Sequence, residues 1–161
     1  MTSHSTIKRQ RGFSMIEVLV TMIVLSIGLL GLAGLQLNAM RSNHSAYLRS
    51  QASTITSDII DRMLVNRATA RAGSYDTGLG VPVAVLPSNC DGDAADNCSV
   101  TEMATLDIDQ WKSSLSNLLP SGDGTISRAV VGGLTTVTVT IQWDDSRGVN
   151  APTQLLIETI L

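Results

Sequence analysis

The chain has little of what catalysis usually needs. It holds two histidines, His4 and His44, and two cysteines, Cys90 and Cys98. No Ser-His-Asp set, no G-x-G-x-x-G and no phosphate-binding Gly-Lys-Ser/Thr is present. The residues therefore predict a protein that is not an enzyme and carries no cofactor. Without a CxxC pair or a histidine beside the cysteines, neither thiol redox chemistry nor a zinc site is expected. Charge is scarce too. Charged residues make up 16 % of the chain, against roughly 25 % in an average soluble domain. With a net charge of −3 there is no basic face for nucleic acid. Aromatic rings are rarer still, at 3 %: Phe13, Tyr47, Tyr75, Trp111 and Trp143. A length of 161 residues leaves no room for a multi-domain enzyme, and a hydrophobic content of 43 % excludes disorder throughout.

The apolar residues are concentrated near the start. From Val18 to Leu37 no residue is charged. A helix of about 20 residues rises about 30 Å, enough to cross a bilayer core. The preceding residues 1–12 carry Lys8, Arg9 and Arg11 and no acid. That bias predicts a cytoplasmic N-terminus and a C-terminal bulk on the periplasmic side, against the smaller pull of Arg41 and Arg49. Three readings fit such a segment: a secretory signal cut near Gly31-Leu32-Ala33, a permanent anchor, and one that turns on positions 8–20.

Those positions read Lys8-Arg9-Gln10-Arg11-Gly12-Phe13-Ser14-Met15-Ile16-Glu17-Val18-Leu19-Val20. A basic leader ends in Gly, Phe follows, and Glu stands fifth counting from Phe13. This resembles the signal of type IV prepilins and of type II secretion pseudopilins. The stretch from Gly12 to Gln36 is most similar to minor pilins of the PilV type. The resemblance implies cleavage between Gly12 and Phe13 by a prepilin peptidase, N-methylation of Phe13, and assembly with other minor and major pilins on an inner-membrane platform. It also implies a subunit that begins in the inner membrane and ends in the pilus. Elementary physics agrees about Glu17. A carboxylate in hydrocarbon costs roughly 3 kcal/mol, so it needs a partner or water. The α-amine of a neighbouring subunit's Phe13 can pair with it; snorkelling to the interface is the plainer account. Gly28, Gly31 and Gly34 stand where many pilins have a helix-breaking proline. They fit either a bendable segment or close helix packing.

Beyond the span the helix is expected to continue. No Pro or Gly interrupts residues 35–72, and Ala52, Ile55, Ile59 and Met63 share one face. Asp58 and Arg62 form an i,i+4 pair, and Arg62, Arg67 and Arg71 read as a solvated face. Gly73 to Val100 reads as loop. Inside it Cys90 and Cys98, on the oxidising side of the membrane, are expected to form a disulfide. Asp91, Asp93, Asp96 and Glu102 match a calcium loop only partly, since Asp96 stands where glycine is required, so a solvated acidic loop is the favoured reading. A short helix is predicted from Leu106, capped by Asp107 or Asp109, with Trp111, Leu115 and Leu118 on one side. The Asp107-x-x-x-Trp111 spacing is again similar to PilV-type proteins. Strands are predicted at Thr125–Val131, Thr136–Trp143 and Thr153–Leu161, the first two joined by Gly132-Gly133.

The expected fold is thus α+β and pilin-like: a long N-terminal helix, transmembrane and then amphipathic, packed on a small antiparallel sheet. Its segments are a leader at 1–12, a span at 13–37, an amphipathic continuation at 38–72 and a periplasmic domain at 73–161. The function this implies is a structural minor pilin acting in pilus assembly. A type II secretion pseudopilin is the alternative within that superfamily, and a secreted periplasmic binding protein the alternative outside it.

Overall fold

The computed structural model describes residues 12–82, 87, 90 and 98–161. The basic leader residues Lys8, Arg9 and Arg11, and Asp91, Asp93 and Asp96 of the calcium-like loop, lie outside the described residues. Six elements follow in order: α1 (Met15–Val65), α2 (Arg67–Ala72), α3 (Val100–Leu118), β1 (Asp123–Val131), β2 (Leu134–Trp143) and β3 (Thr153–Ile160). The chain divides into two compact units, Met1–Asn43 and His44–Leu161.

In the first unit the described structure is helix. Its residues are long and apolar enough to cross a membrane. Helical geometry satisfies its backbone internally, as a bilayer demands. The two hydroxyls in the apolar run bond back to their own helix, Thr21 Oγ1 to Val18 O at 2.8 Å and Ser26 Oγ to Met22 O at 2.7 Å. The helix runs unbroken through Gly28, Gly31 and Gly34.

The second unit is built on the amphipathic half of α1. Ala52, Ile55, Ile59 and Met63 are buried as their spacing predicts, joined by Leu48 and Thr56. One correction concerns the end of the helix. It does not run straight to residue 72: α1 stops at Val65, Asn66 leaves helical geometry, and α2 ends on Gly73 in the left-handed region.

The sheet is an antiparallel meander in the order β1-β2-β3. Gly132 and Gly133 take φ of 60° and 81°, the positive values that a two-residue hairpin turn requires. On β2, alternation places Val137, Val139, Ile141 and Trp143 in the core. Ile126 of β1 pairs with Val139, and Ile157 of β3 flanks it on the other side. A long helix with a small three-stranded antiparallel sheet is the α+β arrangement that the sequence predicts.

The helix predicted from Leu106 begins six residues earlier. Ser99, and neither Asp107 nor Asp109, is its cap: Ser99 Oγ accepts from Glu102 N–H at 3.2 Å, and Glu102 Oε2 accepts from Ser99 N–H at 2.9 Å. This reciprocal pair satisfies two donors that a helix start leaves open. Trp111 is a core anchor, 1 % exposed, and Leu115 is fully buried. Leu118 is instead 50 % exposed, and Leu119 fills the core in its place. Trp111 also explains Gly124 on β1: a Cβ there would meet the indole at 2.5 Å.

Lys112 on α3 fastens the loop after Tyr75 to β1. Its ammonium donates to Gly78 O at 2.6 Å and Val81 O at 3.0 Å, and lies 3.3 Å from Asp123 Oδ1. Burial alone would raise the Asp123 pKa. The N–H groups of Gly80 and Gly124 and the Lys112 charge outweigh it and hold the carboxyl below its ordinary value. A carboxylate depressed in the folded state stabilises above its unfolded pKa of about 3.9, and that contribution fades as pH falls through the lower folded value. Asp123→Asn should therefore cost about 1 kcal/mol at neutral pH and less near pH 3. Urea midpoints at the two pH values check this; an equal shift at both would contradict it.

Candidate functional site

The first candidate site is the start of α1. The Ser14 carbonyl receives the first helical bonds, from Glu17 N–H at 3.0 Å and Val18 N–H at 3.3 Å. Gly12 and Phe13 thus precede the helix and are exposed, Phe13 to 85 %. Glu17 falls in the first helical turn, where the helix dipole favours an acid. Among the described residues its carboxylate has no hydrogen-bond or ion-pair partner. The apolar residues that follow are bare: none of the window most able to cross a membrane is buried. A Cβ on Gly28, Gly31 or Gly34 would meet nothing. Among the described residues nothing covers that helix, and an apolar surface of this extent is one that lipid or other helices would cover.

The second candidate is the cystine. Cys90 and Cys98 are joined, with Cα atoms 4.9 Å apart. Cys98 immediately precedes the Ser99 cap, so the covalent link holds the loop at the point where α3 begins. His44 is exposed. Among the described residues no cluster of metal-ligating side chains exists.

A third cluster escaped the sequence reading. Asp107, 7 % exposed, stands in the core side of α3. Tyr75 Oη donates to its Oδ2 at 2.6 Å, and Arg62 Nη1 donates to its Oδ1 at 3.0 Å. Arg62 also bonds Asp58 at 3.0 Å and Gln110 at 2.7 Å. Asn66, at the break between α1 and α2, donates to Val100 O at 2.7 Å and to Tyr75 Oη at 3.4 Å. Arg62 is therefore no member of a solvated face, although its pairing with Asp58 follows the predicted spacing. Burial opposes its charge, but the hydrogen bond to Asp107 and the Asp58 carboxylate raise its pKa above the ordinary value. Burial and the Asp107 bond likewise push the Tyr75 hydroxyl well above its usual range. Arg71 is also engaged, donating to Leu161 O at 2.6 Å. The groups bond one another across α1, the turn at Tyr75 and α3, so this cluster holds the fold together. One signal was available in the sequence: Asp107 falls at core spacing between Ala104 and Trp111, and a buried carboxylate requires a cation.

Two family models match the chain. Residues 34–109 match the model described as type IV pilin Tt1218, and residues 7–33 match the prokaryotic N-terminal methylation motif. No curated protein and no solved structure matches. The matched segments adjoin within α1. The methylation-motif match contains Gly12, Phe13 and Glu17; the pilin match contains the amphipathic helix, both cysteines and Asp107.

Proposed function

We propose that this chain is a minor pilin that takes part in assembling a type IV pilus. The two family-model matches support a type IV pilin. The observation that carries the proposal is an apolar helix with no cover from its own chain, entered through Gly12-Phe13 and bearing Glu17 in its first turn. On this reading a prepilin peptidase cuts between Gly12 and Phe13, and Phe13 becomes the methylated N-terminus. The helix anchors the subunit in the inner membrane with His44–Leu161 in the periplasm, then exchanges lipid for the helices of neighbouring pilins. The role is structural. The resemblance of Gly12 to Gln36 to PilV-type proteins supports reading the subunit as one of the less abundant components that start or modify the filament.

The test is the N-terminal mass of the protein isolated from the envelope. A chain beginning at N-methylated Phe13 is expected; one beginning at Met1 or near Gly34 would overturn the proposal. Gly12→Phe should accumulate as the full-length chain, because the peptidase must fit a small residue before the cut. An immunoblot showing this variant processed at the normal rate would count against the assignment of that bond.

A further inference from the structure

The turn between β2 and β3, residues 144–152, stands at the end of the His44–Leu161 unit where the chain arrives from the apolar segment. Asp145 Oδ2 accepts from Ser45 Oγ at 2.5 Å, and Ser45 is the second residue of that unit. The Gly132-Gly133 hairpin lies at the other end of β2. Leu37, the last residue of the uncharged run, is seven residues before His44. Seven residues make about 10 Å of helix and no more than about 25 Å at full extension. Whatever angle the two units take, the Ser45 contact keeps the root of this turn within roughly that reach of the apolar run. The headgroup layer of a bilayer fills part of the distance. The turn itself is built from within. Asp144 Oδ1 accepts from Ser146 N–H at 2.8 Å and from Ser146 Oγ at 3.1 Å, and Ser146 Oγ accepts from Asn150 N–H at 2.8 Å. Both acids of the turn therefore have partners in their own chain. The tip differs. Arg147 takes a φ of 58° ahead of Gly148 at 81°, a left-handed conformation that glycine adopts at lower cost. Its side chain is exposed and, among the described residues, makes no ion pair or hydrogen bond. Val149 beside it is 81 % exposed. A backbone strained to present an unused side chain points to a role outside the fold. The sign of the nearby charge agrees: between Glu17 and Asp58 the chain holds Arg41, His44 and Arg49 and no acid.

We propose that the tip of this turn rests on an anionic lipid surface while the apolar helix is anchored, with Arg147 on headgroup phosphate and Val149 at the apolar boundary. Arginine suits phosphate because its planar fork donates two bonds at once. A valine beside it buries a small apolar area, as interfacial segments do. One arginine near such a surface shifts a contact by about fivefold, so the turn holds the surface weakly and lets go when the subunit leaves it. The inference rests on the membrane anchor of the proposed function and on no step of leader removal.

The test places the full chain, with the Cys90–Cys98 pair retained, in vesicles of phosphatidylcholine with or without about one third phosphatidylglycerol. Val149→Cys carries a fluorescent dye, and a lipid with a spin label on its headgroup quenches it on contact. Val131→Cys, at the exposed hairpin end, is the reference. On anionic vesicles, quenching at 149 is expected to exceed that at 131 at least about threefold. Adding Arg147→Gly should lower it at least about twofold. That variant keeps the φ of 58° without strain, so its loss reads the guanidinium and not a failure to fold. Arg147→Lys should retain most of the signal, and vesicles without the anionic lipid should lose it. Equal quenching at 149 and 131, or quenching indifferent to Arg147→Gly or to the anionic lipid, would overturn the proposal. Flotation of the vesicles reports the anchor by itself. Protein that floats with 149 unquenched overturns the contact alone; protein that fails to float overturns the anchor and the contact with it.

Discussion

Glu17→Val should leave the amount of protein in the membrane and its cleavage after Gly12 largely unchanged, while its content in sheared filaments falls at least about tenfold. The substitution keeps the basic leader, keeps Gly12-Phe13, and makes the helix more apolar, so insertion and cutting lose nothing. What changes is the charge at the new N-terminus. On the proposed reading, removal of the leader leaves Phe13 with a cation at the head of a helix that no other described residue covers. In the bilayer that end lies near the interface and finds water. In a filament it lies among helices, where an unpaired charge costs several kcal/mol. About 1.4 kcal/mol already shifts an equilibrium tenfold, so losing the Glu17 carboxylate outweighs any gain from an added valine. Fractionation of pili from membranes, followed by quantitative blotting, reads the result. Wild-type stoichiometry in the pili would mean that Glu17 meets water at the interface and pairs with nothing.

Asp107→Ala should destabilise the His44–Leu161 unit by about 2–4 kcal/mol. The carboxylate is the one group that both Arg62 and Tyr75 address. Without it the Tyr75 hydroxyl, 1 % exposed as a residue, retains only the 3.4 Å bond from Asn66. Arg62 keeps Asp58 and some solvent, which limits the cost on that side. Tyr75→Phe removes the phenol along with its need for an acceptor and should cost about 1 kcal/mol. Both tryptophans are buried in this unit, so their fluorescence follows its thermal unfolding. A drop of roughly 8–15 °C for Asp107→Ala is expected for a unit of this size. A shift no larger than that of Tyr75→Phe would show the arginine contact to be idle.

How far the sequence could be read depended on whether the signal was periodic. The buried face Ala52-Ile55-Ile59-Met63 and the alternation from Val137 to Trp143 are recoverable because burial repeats with the period of the element that carries it. The hairpin follows from Gly132-Gly133, since only those φ values close it. The start of α3 was hidden because its cap is a serine that directly follows a cysteine, in a stretch dense with turn residues. The capping box is visible in Ser99 and Glu102 only once a helix is allowed to begin there. Leu118 and Leu119 show a related limit: adjacent leucines at a helix end both fit a core pattern, and the exit angle of the chain decides which is buried. The charged hub was illegible for another reason. Arg62 and Asp107 are 45 residues apart, and a cation and an acid at such separation carry no local mark of being partners.

Every buried apolar residue of the core belongs to His44–Leu161, and none to the segment before it. Folding and solvent transfer are therefore separable events for this molecule. The domain can reach its final state, cystine included, while the first helix is still dissolved in lipid. Leaving the bilayer then exchanges one set of apolar neighbours for another around residues 13–43 without opening a single contact of the folded core. On the proposed reading, moving the subunit from membrane to filament works against lipid solvation and not against protein stability. Core substitutions that lower the melting temperature, short of unfolding, should for that reason leave the force needed for extraction unaltered.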